Sequence, residues 1–285
     1  MTATCPAPTA APDPAPAAAF PIADTACRVV SNEPVNAEYR LLLAEAGPTA
    51  LTAEAGQFFQ LKCPPTTQDH PFLRRPMSVY RIDRQNGQIG FLYKVTGKGT
   101  RGLSTLVPGD RLEAIGPLGL GFTLPAGTKH VLLVARGVGL ATLTPLVQMA
   151  RAAGAEVTAI LSARNPAMVM SRDELAAQGA RVIEVTDTAG DSDMAQVEAL
   201  LRRLHAEQPF DFAATCGSNR LLQLTKALSA EWQIAGQAAM EAFMGCGMGM
   251  CYACVLPVTA PSGETIFKRV CREGPVFSIE EVQSW

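Results

Sequence analysis

The stretch His130-Val131-Leu132-Leu133-Val134-Ala135-Arg136-Gly137-Val138-Gly139 divides the chain into two rhythms. A short apolar run that meets glycines at once reads as a buried strand turning into a helix. Downstream the pattern repeats. Strands are expected at 157–162, 181–185 and 210–215, and helices at 140–152, 172–178, 194–205 and 220–230. Strands alternating with helices argue for a parallel sheet of βαβ units. Upstream, from residue 26 to 124, the runs CRVVS, EYRLLLA, GQFFQLKC, MSVYRI, QIGFLYKV and DRLEAIG are strand-length, with Gly and Pro between them. Six such runs in about a hundred residues fit an antiparallel barrel. The last fifty residues follow neither rhythm and hold a Gly- and Cys-rich loop, then a hairpin from Ala253 to Val270. The expected organisation is an Ala/Pro tail at 1–21, a β-barrel at 22–125, an α/β domain at 126–235 and a small terminal domain at 236–285.

The 285 residues carry a formal charge of −2 and are 48% hydrophobic, which suits two or three cored domains and offers no basic field for nucleic acid. No segment reaches the roughly 18 apolar residues of a membrane-spanning helix. The Ala/Pro start lacks the basic residues and apolar centre of a secretory signal. A cytoplasmic protein is expected, with its eight cysteines reduced.

Cys5, Cys27, Cys63 and Cys216 are scattered, whereas Cys246, Cys251, Cys254 and Cys271 crowd one end. The crowded set reads C-x4-C-x2-C followed by a fourth cysteine, the plant-type spacing for a 2Fe–2S cluster. Gly245, Gly247 and Gly249 would let backbone amides approach the sulfurs. Structural zinc also takes four thiolates and stands as the alternative. A segment this small would draw part of its stability from the metal centre.

Phe72-Leu73-Arg74-Arg75-Pro76-Met77-Ser78 opens a strand, with an arginine suited to a pyrophosphate and a hydroxyl suited to a ring edge. Leu92-Tyr93-Lys94 and Gly97-Lys98-Gly99-Thr100 could hold the same ligand. Gly137 and Gly139 stand where phosphates meet a helix N-terminus, although Thr142 replaces the third glycine of the dinucleotide fingerprint. Cys216-Gly217 ends another strand and could line the same crevice.

Taken with LYKVTGKGT at 92–100, IGPLGLGF at 115–122, GCGMGMCYAC at 245–254 and KRVCREGPVF at 268–277, these motifs resemble the iron–sulfur electron-transfer subunits of NAD-dependent dihydroorotate dehydrogenase, within the ferredoxin–NADP reductase superfamily. The resemblance implies an oxidoreductase component of pyrimidine biosynthesis with FAD held by Arg75, Pro76, Met77, Ser78, Leu92, Tyr93, Lys94, Gly99 and Thr100. It implies a 2Fe–2S cluster on Cys246, Cys251, Cys254 and Cys271, and NAD or NADP at Gly137, Gly139, Cys216 and Gly217. It further implies a separate catalytic subunit that oxidises dihydroorotate, since no segment here is left to form a second barrel. The same module serving a sulfhydrogenase-like or NADH-dependent ferredoxin–NADP oxidoreductase complex is the alternative, and a redox-sensing or zinc-stabilised binding module is a more distant one. Arg136, Ser218 and the Thr186–Gly190 segment depart from the family pattern, all in the nucleotide domain. No side chain is expected to act as a general acid or base; His70, His130 and His205 lie outside the motifs.

Overall fold

The computed structural model describes residues 21–284. The expected Ala/Pro tail, Pro21 apart, and Cys5 lie outside the described residues.

Seven strands build the first lobe: β1 (Ala23–Pro34), β2 (Tyr39–Glu45), β3 (Phe58–Leu61), β4 (Arg75–Ser78), β5 (Arg81–Asp83), β6 (Gln88–Lys94) and β7 (Arg111–Leu118), with the short helix α1 (Lys98–Leu103) between the last two. They form one antiparallel sheet ordered β4-β3-β7-β1-β2-β6-β5. The stretch MSVYRI, expected as one strand, is broken in two, because β4 and β5 occupy opposite edges of that sheet. Val79 and Tyr80 cross between the edges, their amides donating to Gln57 O at 3.0 Å and Gly90 O at 2.9 Å. Two residues thus curl the sheet into its barrel. Val29, Leu42, Phe59, Leu61, Phe91 and Leu112 fill it.

The second lobe runs β8 (His130–Arg136), α2 (Leu140–Ala152), β9 (Glu156–Ala163), α3 (Arg172–Ala177), β10 (Arg181–Thr186), α4 (Met194–Glu207), β11 (Phe212–Cys216), α5 (Asn219–Trp232) and β12 (Ala235–Ala239). Its sheet is ordered β10-β9-β8-β11-β12, all parallel. Side chains along β8 alternate between its two faces. Val131, Leu133 and Ala135 pack with Leu140 and Leu143 of α2, while Leu132 and Val134 pack with Val197 and Leu201 of α4. The strand order reverses between β8 and β11, the place where doubly wound sheets open a crevice at their carboxyl ends.

The cysteine-bearing segment contributes the hairpin β13 (Val255–Thr259) and β14 (Thr265–Arg269), then β15 (Val276–Ser278), which pairs antiparallel with β12 and extends the α/β sheet. The expected division at 235/236 therefore falls at the start of β12. Phe58 and Leu118 from the barrel, Leu222 and Ala238 from the α/β lobe, and Cys254, Val270, Cys271 and Phe277 share one apolar cluster. The segment is built into both lobes. No helix among the described residues is long and apolar enough to cross a membrane.

Helix α1 is anchored from below by Asn32, whose side chain donates to Leu103 O at 2.9 Å and Leu106 O at 3.0 Å and accepts from Tyr93 Oη at 2.9 Å. Asn32→Ala strands these buried partners, and unfolding in urea should show a loss of about 1–3 kcal/mol. An unchanged midpoint would mean that water replaces the amide.

Candidate functional site: two joined clefts and a four-cysteine loop

A cleft of about 270 Å³ opens where barrel, α/β lobe and C-terminal segment meet. Pro76, Met77, Ser78, Leu92, Tyr93, Lys94 and Thr100, all expected at a flavin site, line it. Arg75 and Gly99 do not line it but stand against each other: a β-carbon at Gly99 would lie 2.7 Å from Arg75 Nε. Thr100 Oγ1 accepts from the amides of Thr96 at 2.9 Å and Gly97 at 3.0 Å, fixing the turn into α1. The Tyr93 ring points away from the cleft into the barrel, 1% exposed and bonded to Asn32. Only its flank reaches the ligand space, because alternation along β6 turns Leu92 and Lys94 the other way.

A second cleft of about 310 Å³ is lined by Arg136, Gly137, Val138, Gly139, Arg164, Gly217 and Tyr39, among others. Lys94, Val138 and Glu241 border both clefts, so the two adjoin. Gly139 and Gly217 allow the loops after β8 and β11 to touch. A β-carbon at Gly139 would meet Cys216 O at 2.5 Å, and one at Gly217, where φ is +93°, would meet Arg136 O at 2.2 Å. Cys216 is buried 2% exposed and lines neither cleft, and burial pushes its thiol far up. It is a packing residue of that junction.

The departures from the family pattern find partners here. The Arg136 guanidinium donates to Ser162 Oγ at 2.7 Å and to both carboxylate oxygens of Asp187, at 3.1 and 2.7 Å. Hydrogen bonds from Arg136 and Ser192 hold the Asp187 carboxyl down at about 2. Arginine and altered acidic segment thus form one unit along the carboxyl ends of β8, β9 and β10. Ser218 caps α5, its hydroxyl accepting from Leu221 N at 3.4 Å. Thr142, in place of the third glycine, donates to Ser78 Oγ at 2.8 Å and ties α2 to the flavin-site strand.

Sequence reasoning passed over Glu241. It lies two residues beyond β12, borders both clefts while remaining exposed, and desolvation by the protein around its carboxyl raises it above the ordinary range. A lone carboxylate at the carboxyl end of a parallel strand was the available signal. His130 and His205 sit with Phe210 and Trp232, remote from the clefts.

The cysteines fall into two pairs. Cys254 and Cys271 stand 3.2 Å apart between their sulfurs, and Cys246 accompanies Cys251, its amide donating to Cys251 Sγ at 3.4 Å. Burial raises the Cys246 thiol, but backbone N–H groups of Met248, Cys251 and Met250 more than offset it and draw it down to about 6. Among the described residues no three His, Cys, Asp or Glu side chains converge as a single metal ion requires. Two thiol pairs, three of the cysteines on the glycine loop and Cys271 returned by the β13–β14 hairpin, are what a two-iron rhomb needs, one pair for each iron, so the donor set fits 2Fe–2S better than tetrahedral zinc. Arg269 braces the loop, donating to Gly249 O at 2.7 Å and stacking 4.8 Å over Tyr252.

Residues 241–283 match the model of the iron–sulfur cluster binding domain of dihydroorotate dehydrogenase B. The structure of an NADH-dependent reduced ferredoxin–NADP oxidoreductase superposes with a TM-score of 0.74 at 25% identity, over 90% of each chain. Phthalate dioxygenase reductase superposes with a TM-score of 0.59 at 17% identity, over 87% of this chain and 77% of that one. Fold and site define a reductase module of the ferredoxin–NADP reductase type carrying a 2Fe–2S-binding segment. Two curated relatives narrow this. The dihydroorotate dehydrogenase B (NAD(+)) electron transfer subunit of Desulforamulus reducens is 34% identical, over 82% of this chain and 88% of its own. That of Geobacillus thermodenitrificans is 38% identical, over 80% and 86%. The chain belongs to the family of dihydroorotate dehydrogenase B electron-transfer subunits.

Cys254→Ser should abolish most bound iron and acid-labile sulfide, and Cys216→Ser should leave both at the wild-type level. Equal losses in the two variants would contradict the assignment of the ligands.

Proposed function

We propose that this chain relays electrons between a dihydroorotate-oxidising catalytic subunit and NAD through a 2Fe–2S cluster and FAD, in the cytoplasm. The observation that carries the reading is the junction itself. Glu241 borders both clefts, Ala242 and Met244 just after it line the flavin-site cleft, and the first cysteine, Cys246, follows two residues later. A flavin exchanges electrons in pairs with nicotinamide and singly with an iron–sulfur cluster, which is why it stands between them.

The chain's residues bind and orient. Pro76, Met77, Ser78, Leu92, Lys94 and Thr100 would hold the flavin, with their chain neighbours Arg75 and Gly99 packed against each other. Gly137, Gly139 and Gly217 would admit the nicotinamide nucleotide, and the Cys216 side chain would support them from within. Cys246 with Cys251, and Cys254 with Cys271, would each hold one iron. No general acid or base is needed for this relay.

Arg136 supports NAD over NADP: its guanidinium is already satisfied by Asp187 and is not free for an additional phosphate. Asp187 has its carboxyl depressed, so the pair's contribution is fully present above the ordinary aspartate range and is lost only as pH falls through about 2. Nucleotide affinity should therefore show no inflection from this pair between about pH 5 and 8. Asp187→Asn releases the guanidinium and should raise affinity for NADPH relative to NADH, measured by flavin reduction. No change in that ratio would remove Arg136 from nucleotide selection.

The partner would dock on the cysteine loop, where Phe243 is 96% exposed, Met250 72% and Tyr252 62%. One-electron transfer needs that proximity. Mixing the purified chain with a dihydroorotate-oxidising subunit should yield dihydroorotate-dependent NADH formation that neither supports alone. A chain that reduces its flavin with NADH yet never couples to dihydroorotate would favour service to another complex, such as the ferredoxin–NADP oxidoreductase type.

A further inference from the structure

Strand β3 presents different chemistry on its two faces. Phe59 and Leu61 enter the barrel core, while Phe58 faces the cluster of side chains around Cys254 and Cys271 and also lines the flavin-site cleft. Gln60 shares the Phe58 face by strand alternation. It is 1% exposed, and neither Nε2 nor Oε1 has a hydrogen-bond partner. Its amide is pressed against the cysteine loop: a β-carbon at Gly247, where φ is +72°, would lie 2.5 Å from Gln60 Nε2. Gly247 directly follows Cys246.

A buried amide with both ends unpaired is rare and calls for a partner. Packing alone would be served better by an apolar side chain, since neighbouring Phe58, Ile115 and Leu118 are all apolar. What the Cys246 loop is built to hold is rich in anionic sulfur, an acceptor lacking among the side chains around Gln60. We propose that Gln60 donates a hydrogen bond from Nε2 to the sulfur of the bound cluster and thereby sets its reduction potential from the flavin side.

The inference rests on the 2Fe–2S reading. A donor to cluster sulfur stabilises the more negative, reduced state, so removing it lowers the potential. Gln60 is a positioning and tuning residue. It transfers no electron itself, but its strand runs from the flavin-site cleft to the loop, so the potential it sets governs the step between the two centres.

The test is a redox titration followed by electron paramagnetic resonance on the full chain, purified anaerobically. Wild-type protein that gives no reduced-cluster signal after iron and sulfide reconstitution would sink the cluster reading itself. With the signal present, Gln60→Leu should shift the one-electron reduction equilibrium about tenfold toward the oxidised form, which is about 59 mV. Gln60→Met, close in size but without an N–H, should shift it in the same direction by a similar amount. A cluster-bearing variant at or above the wild-type potential would overturn the proposal. So would loss of the cluster from both variants, which would make Gln60 a scaffold for the loop.

Discussion

Phe58 and Leu118 of the barrel, Leu222 and Ala238 of the α/β lobe, and Val270 and Phe277 of the terminal segment bury one another around Cys254 and Cys271. The terminal segment is too short to bury a core of its own and takes one from its neighbours. Its placement follows from that. Strand β15 completes the α/β sheet, Leu120 donates to Gly274 O at 2.6 Å, and Gly247 closes on Gln60. Burial of this cluster fixes the cysteine pairs beside the flavin-site cleft, and the electron path is a consequence of how the segment is packed.

The second constraint acts across the two lobes. Thr142 reaches Ser78, Tyr80 reaches Ser171 at 2.7 Å, and Arg81 pairs with Glu174 at 2.5 Å. These contacts join α2 and α3 to the barrel and hold the two adjoining clefts in place. Each is a single polar contact of modest net contribution, Thr142 and Tyr80 being themselves buried and only the Arg81–Glu174 pair partly exposed. Their combined effect is orientation.

Much of this was legible in the residues. The apolar run from His130 and the glycines after it mark the strand, turn and helix at the switch point, and the cysteine spacing marks the loop. Less could be read where local pattern and tertiary role diverge. MSVYRI reads as one strand because nothing in it announces the corner at Val79 and Tyr80. Strand β12, AGQAA, lacks the branched side chains that signal a strand, and β15 has only three residues. Tyr93 enters the expected flavin site through the family resemblance of 92–100, and the run 89–93, buried throughout, has no polar alternation to show which way its ring turns. Arg136 departs from the family pattern with no reason visible in its own segment, because its partner Asp187 is distant in sequence. Gln60 carried no signal, since an unpaired amide is visible only once its surroundings are known.

The central claim is that flavin and cluster are adjacent in one chain and exchange electrons directly. The measurement closest to it is rapid mixing of the anaerobic, cofactor-replete chain with NADH, following flavin absorbance and the reduced-cluster paramagnetic signal together. The account predicts that both centres are reduced within one chain in the absence of any partner subunit. A flavin that bleaches while the cluster stays oxidised, at an NADH concentration poised below the cluster potential, would contradict it.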